Sequence, residues 1–373
     1  VAGDNPRTVA EALARNWLIA PEIVRGQDFD NWVRRSLGDD RVLENVNKVL
    51  GSAAVIQSVP EADNQKLVTR ACMALDPPAP IRHKGFSAFM DGVGHALAIG
   101  FDRDDIRQRV AEFINARIIG QWMTLQARNR SELNELYSVF DKLPMLINQA
   151  GSGYGIERVL YELNPELHCR SPHVETFYIT RIEELVPALE RAAQRQDRGS
   201  QPIDRHIAAF ATARTTEIDD RLLRPLSAQE HTGTERTLAM LKLLAKVQVV
   251  SKNGPCTNLC GWFAELMAPA VNSFHNLKIR KAVELSVSRA VESGLLIELQ
   301  NIFADAKAAQ RDSQGYQRAQ QEHTQCNAQM QQLAIEIENK EHLATELGEQ
   351  VAAVCAGVLG SIGSTAVIVM YML

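Results

Sequence analysis

Glu349 is the last charged residue of this 373-residue chain, and the 24 residues from Gln350 to Leu373 carry no charge. Coiled as a helix at ~1.5 Å per residue, that stretch reaches about 36 Å, against a hydrocarbon core about 30 Å thick. Two outcomes are open to it: a buried core helix or a membrane span. A core helix of this length without one charge is unusual, so a span is the expectation. Ala353, Gly357 and Ser361 form one row of small side chains, and Ala356, Gly360 and Ser364 form a second. Rows like these let helix backbones approach closely inside lipid, so these six residues are the candidate packing site. Tyr371 suits a membrane interface. The flank carries only Lys340 among acids, so the basic residues that normally set orientation are missing on that side.

Upstream, a seven-residue step from His323 gives Met330, Ile337, Ala344, Val351 and Val358, with companions at Cys326, Leu333, Lys340, Leu347 and Val354. The pattern resembles a heptad seam, weakened by His323 and Lys340. It fits either a stalk or coiled coil, or an amphipathic helix packed on its own domain. The acidity of the chain also sits here. Residues 296–350 hold nine carboxylates against four cations, an excess equal to the chain's whole net charge of −5. The remainder is balanced and shows no basic stripe, so a nucleic-acid partner is not expected.

The rest reads as helices. Asn5 and Pro6 suit the cap and first position of one containing Val9 and Leu13, with Trp17 and Leu18 on the same face and Pro21 as its stop. Further helices are expected over 28–37, from Asp40, from Asp63 to Leu75, over 104–127, and from Ser131. Asp76-Pro77-Pro78-Ala79-Pro80 cannot be helical, and the stretch to Gly100 is the least regular of the amino-terminal half. Helices resume over 175–195, 204–222, 227–252 and 257–266, the last bounded by Pro255 and Pro269. From Val271 on there is no proline, and periodicity runs on with interruptions such as Gly294 and Gly315. Val247–Val250 is the best strand candidate, yet helix is favoured there too. The expected fold is all-α: a multi-helix bundle, a long stalk-like helix and a hydrophobic terminal helix. The expected divisions are 1–195, 196–295, 296–349 and 350–373, the first at the polar linker 194–202.

Six cysteines over this length are too sparse for a disulfide framework, so a reducing compartment is expected for the bulk of the chain. Arginine-rich basicity fits a GC-rich bacterial source. The opening Val1-Ala2-Gly3-Asp4-Asn5-Pro6 has no apolar core after a basic segment, so no signal peptide is expected. It also lacks an initiator Met, which suggests a processed product or the carboxy-terminal part of a larger signalling protein.

Motifs for chemistry are few. His168-Cys169 with His173 offers imidazole and thiolate, and Cys256 and Cys260 lie four apart, but the spacing matches no standard zinc knuckle. Loop and core roles are expected instead, with no metal or cofactor. Gly151, Gly153 and Gly155 precede a helix, but no strand leads in and no Lys-Ser/Thr pair follows, so a turn is expected rather than a phosphate loop. Glu230-His231, Glu322-His323 and Asp219-Asp220 beside Arg221 and Arg224 read as solvated charge. Nucleophile-elbow, zinc-protease and kinase signatures are absent. The leading expectation is therefore a non-enzymatic helical interaction or scaffold module, held at a membrane by its terminal helix. It would meet a protein partner and the bilayer, and self-associate. Trp17, Trp32, Trp122 and Trp262 are possible surface anchors, though core packing suits each better. A helical pore former with a sheathed terminal segment is the alternative, and a helical enzyme with a site near 168–173 the third.

Overall fold

The computed structural model describes residues 5–126, 131–227 and 233–372. Among the described residues the fold is all-α apart from one short hairpin. A multi-helix bundle is followed by the long helix Ala306–Glu338 and the apolar helix Lys340–Met372.

Caps set several of the helix starts. Asn5 accepts from the Thr8 N–H at 3.0 Å, and the Thr8 hydroxyl accepts from the Asn5 N–H, so helix Pro6–Arg15 begins where expected. Asp39 likewise takes the N–H groups of Arg41 and Val42 at the head of Asp40–Val49. Other boundaries move. The first helix ends before Trp17, and Pro21 lies in the first turn of the next, Ala20–Arg25, where its missing N–H has no partner to lose. The helix expected over 28–37 is a short α-helix, Gln27–Asn31, continued by a π turn in which the Leu37 N–H reaches Trp32 O. The one expected over 104–127 breaks at Arg117, whose φ is 52°. The stretch 204–222 divides into Arg205–Arg214 and a separate helix from Asp220. Pro144 and Pro269 sit inside helices, so helix Thr257–Asn272 runs through its expected stop.

By contacts, the chain forms two units. One holds the chain up to Ala270 together with Glu284–Ala304, and the other holds Val271–Val283 with the chain from Asp305. The first unit contains two sets of buried side chains. The smaller surrounds helix Asn64–Leu75 and includes Leu13, Val24, Phe29, Val46 and Cys72. The larger includes Phe113, Leu143, Tyr161, Phe210, Phe263 and Leu299. Ala193 and Ile203, on either side of the polar segment 194–202, both belong to it. Leu296 and Leu299 are fully buried there, so the exposed helix starts only at Ala306. In the second unit, buried Asp312 accepts from the N–H groups of His275 and Asn276 at 3.0 and 2.7 Å, closing the amino end of the helix that begins at Leu277. The His275 ring stacks on Tyr316 at 3.9 Å.

Gly294 is the interruption that the fold needs. Its φ is +67°, and a Cβ there would meet Cys256 N at 2.6 Å. The Gly294 carbonyl accepts from the Cys256 N–H and from buried Gln248, whose side-chain oxygen takes the Leu296 N–H at 2.9 Å. Gly315, by contrast, lies inside a continuous helix.

The hairpin pairs Ile81–His83 with Phe86–Ala88 through Lys84 and Gly85, both at positive φ, as a two-residue turn with the sheet's own twist requires. It buries His83. The Thr69 hydroxyl donates to Gln65 O, so it accepts from His83 Nδ1–H at 2.9 Å. Burial, with the Lys84 ammonium adding to it, pushes the imidazole down to about 4. Because the folded value lies below that of the unfolded chain, near 6.5, the neutral ring's contribution is intact above that pH and is lost as pH falls toward 4. The expected loss is about 2 to 3 kcal/mol. His83→Gln should flatten the stability profile between pH 7 and 4 in chemical denaturation. An unchanged slope would mean the ring titrates as if exposed.

Candidate functional site

The terminal helix Lys340–Met372 spans 33 residues, is long and apolar enough to cross a membrane, and has none of its apolar window buried. Lipid offers no partners for polar groups, so each must be satisfied within the helix. The hydroxyls of Ser361 and Ser364 donate to Val358 O and Gly360 O, each at 2.7 Å, and that of Thr365 to Ser361 O. Ala353, Gly357 and Ser361, and Ala356, Gly360 and Ser364, all lie on this one helix with their faces exposed. A Cβ added at Gly357 or Gly360 would meet nothing within 4 Å, so among the described residues no neighbour uses the space those glycines leave. The helix is separated from the one before it by Asn339 alone. The Asn339 N–H still reaches Ile335 O, and its carbonyl takes the Leu343 N–H, each at 3.0 Å.

The histidine–cysteine loop is built for packing. Cys169 is fully buried, its N–H donates to Ile179 O at 2.9 Å, and burial pushes the thiol up to about 12. His168 lies against Tyr178, and His173 meets Trp262 edge-on at 5.9 Å. Among the described residues no group of three His, Cys, Asp or Glu is placed to hold a metal. Replacing His168 and His173 together by Ala should therefore lower thermal stability only by the lost ring contacts, about 1 kcal/mol, and equally with or without chelator. Stoichiometric zinc that disappears in the double variant would overturn this, since a structural zinc contributes on the order of 10 kcal/mol.

The glycine triplet is a turn with φ of 124°, 86° and 80°. It seats against helix Asp220–Ser227: a Cβ at Gly153 would lie 2.9 Å from Leu223, and Ser152 donates its N–H to the Ser227 hydroxyl. Asp220 accepts from the Tyr154 hydroxyl there, so it is not simply solvated charge. Glu322 and His323 are exposed on the long helix, and Glu230-His231 lies outside the described residues. Trp122 and Trp262 are buried, while Trp17 and Trp32 are half-buried.

Sequence reasoning missed Arg214. Its guanidinium donates to the carbonyls of Thr180, Tyr161, Asn164 and Leu167 at 3.0–3.1 Å. These acceptors lie 34 to 53 residues away, so no local pattern marks the residue. An open cleft of about 480 Å³ lies beside it, lined in part by Lys142, Glu162 and Thr212. Arg214 is turned to its carbonyls and Glu162 pairs with Arg158 at 2.6 Å, so those charges do not converge on a ligand. Tyr161, which is fully buried, shares its hydroxyl between His206 Nδ1 and the Arg170 N–H.

No protein-family model, curated protein or solved structure matches the chain.

Proposed function

We propose that this chain is a membrane-anchored helical interaction module: the terminal helix holds it in a bilayer, and the helical body presents surfaces to a protein partner on the cytoplasmic side. The observation that carries this is the terminal helix, uncharged from Gln350 onward, exposed along its length and with its serine and threonine hydroxyls satisfied internally. Monomeric soluble proteins rarely leave contiguous apolar surface beyond a few hundred Å² in water, so such a helix calls for a cover, and its length matches a bilayer. The cytoplasmic side is favoured by the free thiols, among them Cys256 and Cys260, buried one helical turn apart and unlinked. A structural rather than catalytic body is favoured by the polar groups that close its interior: half-buried Arg214 and buried Gln248 donate to backbone carbonyls, and the buried Tyr161 hydroxyl meets His206 Nδ1 and the Arg170 N–H.

The test is flotation of the full chain with phospholipid vesicles. It should rise with them and stay bound through high salt and carbonate. A monodisperse monomer purified without detergent would instead support the pore-forming alternative, in which the segment is sheathed until it inserts.

Self-association belongs to the same reading. In lipid, close packing of small residues is a main source of attraction between helices. Replacing Gly357 and Gly360 together by Leu should cut energy transfer between labelled copies in vesicles by about tenfold, on the scale of 1–2 kcal/mol for such contacts. The protein should remain in the membrane, since hydrophobicity rises. Unchanged transfer would assign the glycines to another neighbour.

A further inference from the structure

We propose that the exposed stalk docks on the stalk of a second copy of this chain, parallel and in register, with Lys340 as the layer that sets the register. The inference rests on the anchored reading above. From Cys326 to Val354 the seam advances in alternating steps of four and three residues, the spacing at which one helix presents a continuous stripe to another. Met330, Leu333, Ile337, Leu347, Val351 and Val354 on that stripe are all more than half exposed. Apolar side chains in this arrangement are left without a cover.

Two observations identify the occupant. The stripe keeps its step across Glu349, passing from the charged helix into the uncharged segment. Its partner must therefore also run from water into lipid in the same direction. A second copy anchored in the same bilayer does so by construction, whereas an antiparallel helix would lay its own uncharged part against the acidic stalk.

The second observation is charge. Lys340 is the only Lys or Arg after Arg318, and it occupies a seam position between Glu336 and Glu341. In a parallel in-register pair, a side chain at its position packs into a hole that includes the residue following its counterpart. Each Lys340 ammonium then meets Glu341 of the second copy. A slip of seven residues would set that ammonium against Leu333 or Leu347, where it has no counter-charge. A single polar residue in an apolar seam fixes alignment in this way, at some cost in stability.

The test uses the full chain in phospholipid vesicles, in a Cys355→Ser background, with Cys326 as reporter. The other four cysteines are buried. Mild oxidation by two equivalents of a copper(II)–phenanthroline complex, each taking one electron as the two thiols lose their protons, should give a disulfide-linked dimer through Cys326. Moving the thiol off the seam, by Cys326→Ser with Ala328→Cys, should abolish it. Lys340→Glu should reduce the Cys326 dimer about fivefold at low salt, and adding Glu341→Lys should restore it. Equal linkage at residue 328, absence of linkage at 326, or indifference to Lys340→Glu would each overturn the proposal. Flotation of the same samples separates the causes. Protein that floats without seam-specific linkage defeats the pairing alone, whereas protein left behind defeats the anchor and the pairing with it.

Discussion

Removal of Gln350–Leu373 is expected to turn a vesicle-bound protein into a soluble one whose helical body is unchanged. A spanning helix binds bilayers in an effectively irreversible way, so its loss should be all-or-none in flotation. The body should survive because neither set of buried side chains draws on anything beyond Phe303. Helix Ala306–Glu338 buries only Asp312, and that residue is retained. Far-ultraviolet circular dichroism of the truncated chain should therefore lose only the signal of the deleted turns, and its cooperative melt should persist. Aggregation with broad loss of helical signal would show that the segment is core, and the anchor would fall with it.

The largest effect of a single substitution is expected at Arg214. The last carbonyls of a helix have no partners within it and must find donors elsewhere. Helix Gly155–Leu163 ends in the loop that carries His168 and Cys169. Arg214 answers Tyr161, Asn164 and Leu167 from the end of another helix, and Thr180 across the loop. Its guanidinium lies over the Phe210 ring, 5.1 Å from the ring centre. Arg214→Met keeps much of the apolar stem and removes the guanidinium from four carbonyls, of which Asn164 O still accepts from the Leu167 N–H at 3.1 Å. The expected cost is about 4 kcal/mol, the scale for losing charge-assisted hydrogen bonds from partly buried acceptors. Thermal unfolding in detergent should drop by about 10 °C, at roughly 2–4 °C per kcal/mol for a body of this size. Arg181→Met removes an exposed pair with Glu184 at 3.1 Å and serves as the control, with a change under about 1 kcal/mol. Equal effects at the two positions would refute the role given to Arg214.

The features legible from the residues alone are those whose causes lie within a few positions along the chain. The all-α fold follows from apolar spacing, and the Asn5 and Asp39 caps from side chains that reach backbone groups two or three residues on. The terminal helix follows from a run of 24 residues without charge. Prolines were less reliable boundaries. Pro269 continues a helix because flanking residues such as Met267 and Val271 are buried, and packing offsets one missing N–H. The hairpin was invisible because its strands are three residues each, too short to show a period, and its identity lies in the positive φ of Lys84 and Gly85. Arg214 and the Gln248–Gly294 contacts depend on groups dozens of residues apart, which only packing brings within 3 Å. The residues by themselves determined which segments are helical and which one suits lipid, because spacing and charge act locally. The tertiary structure alone decided which polar side chains close which helix ends, and that no residue of the apolar window is buried. A hydrogen bond or a cover depends on where distant segments meet in space.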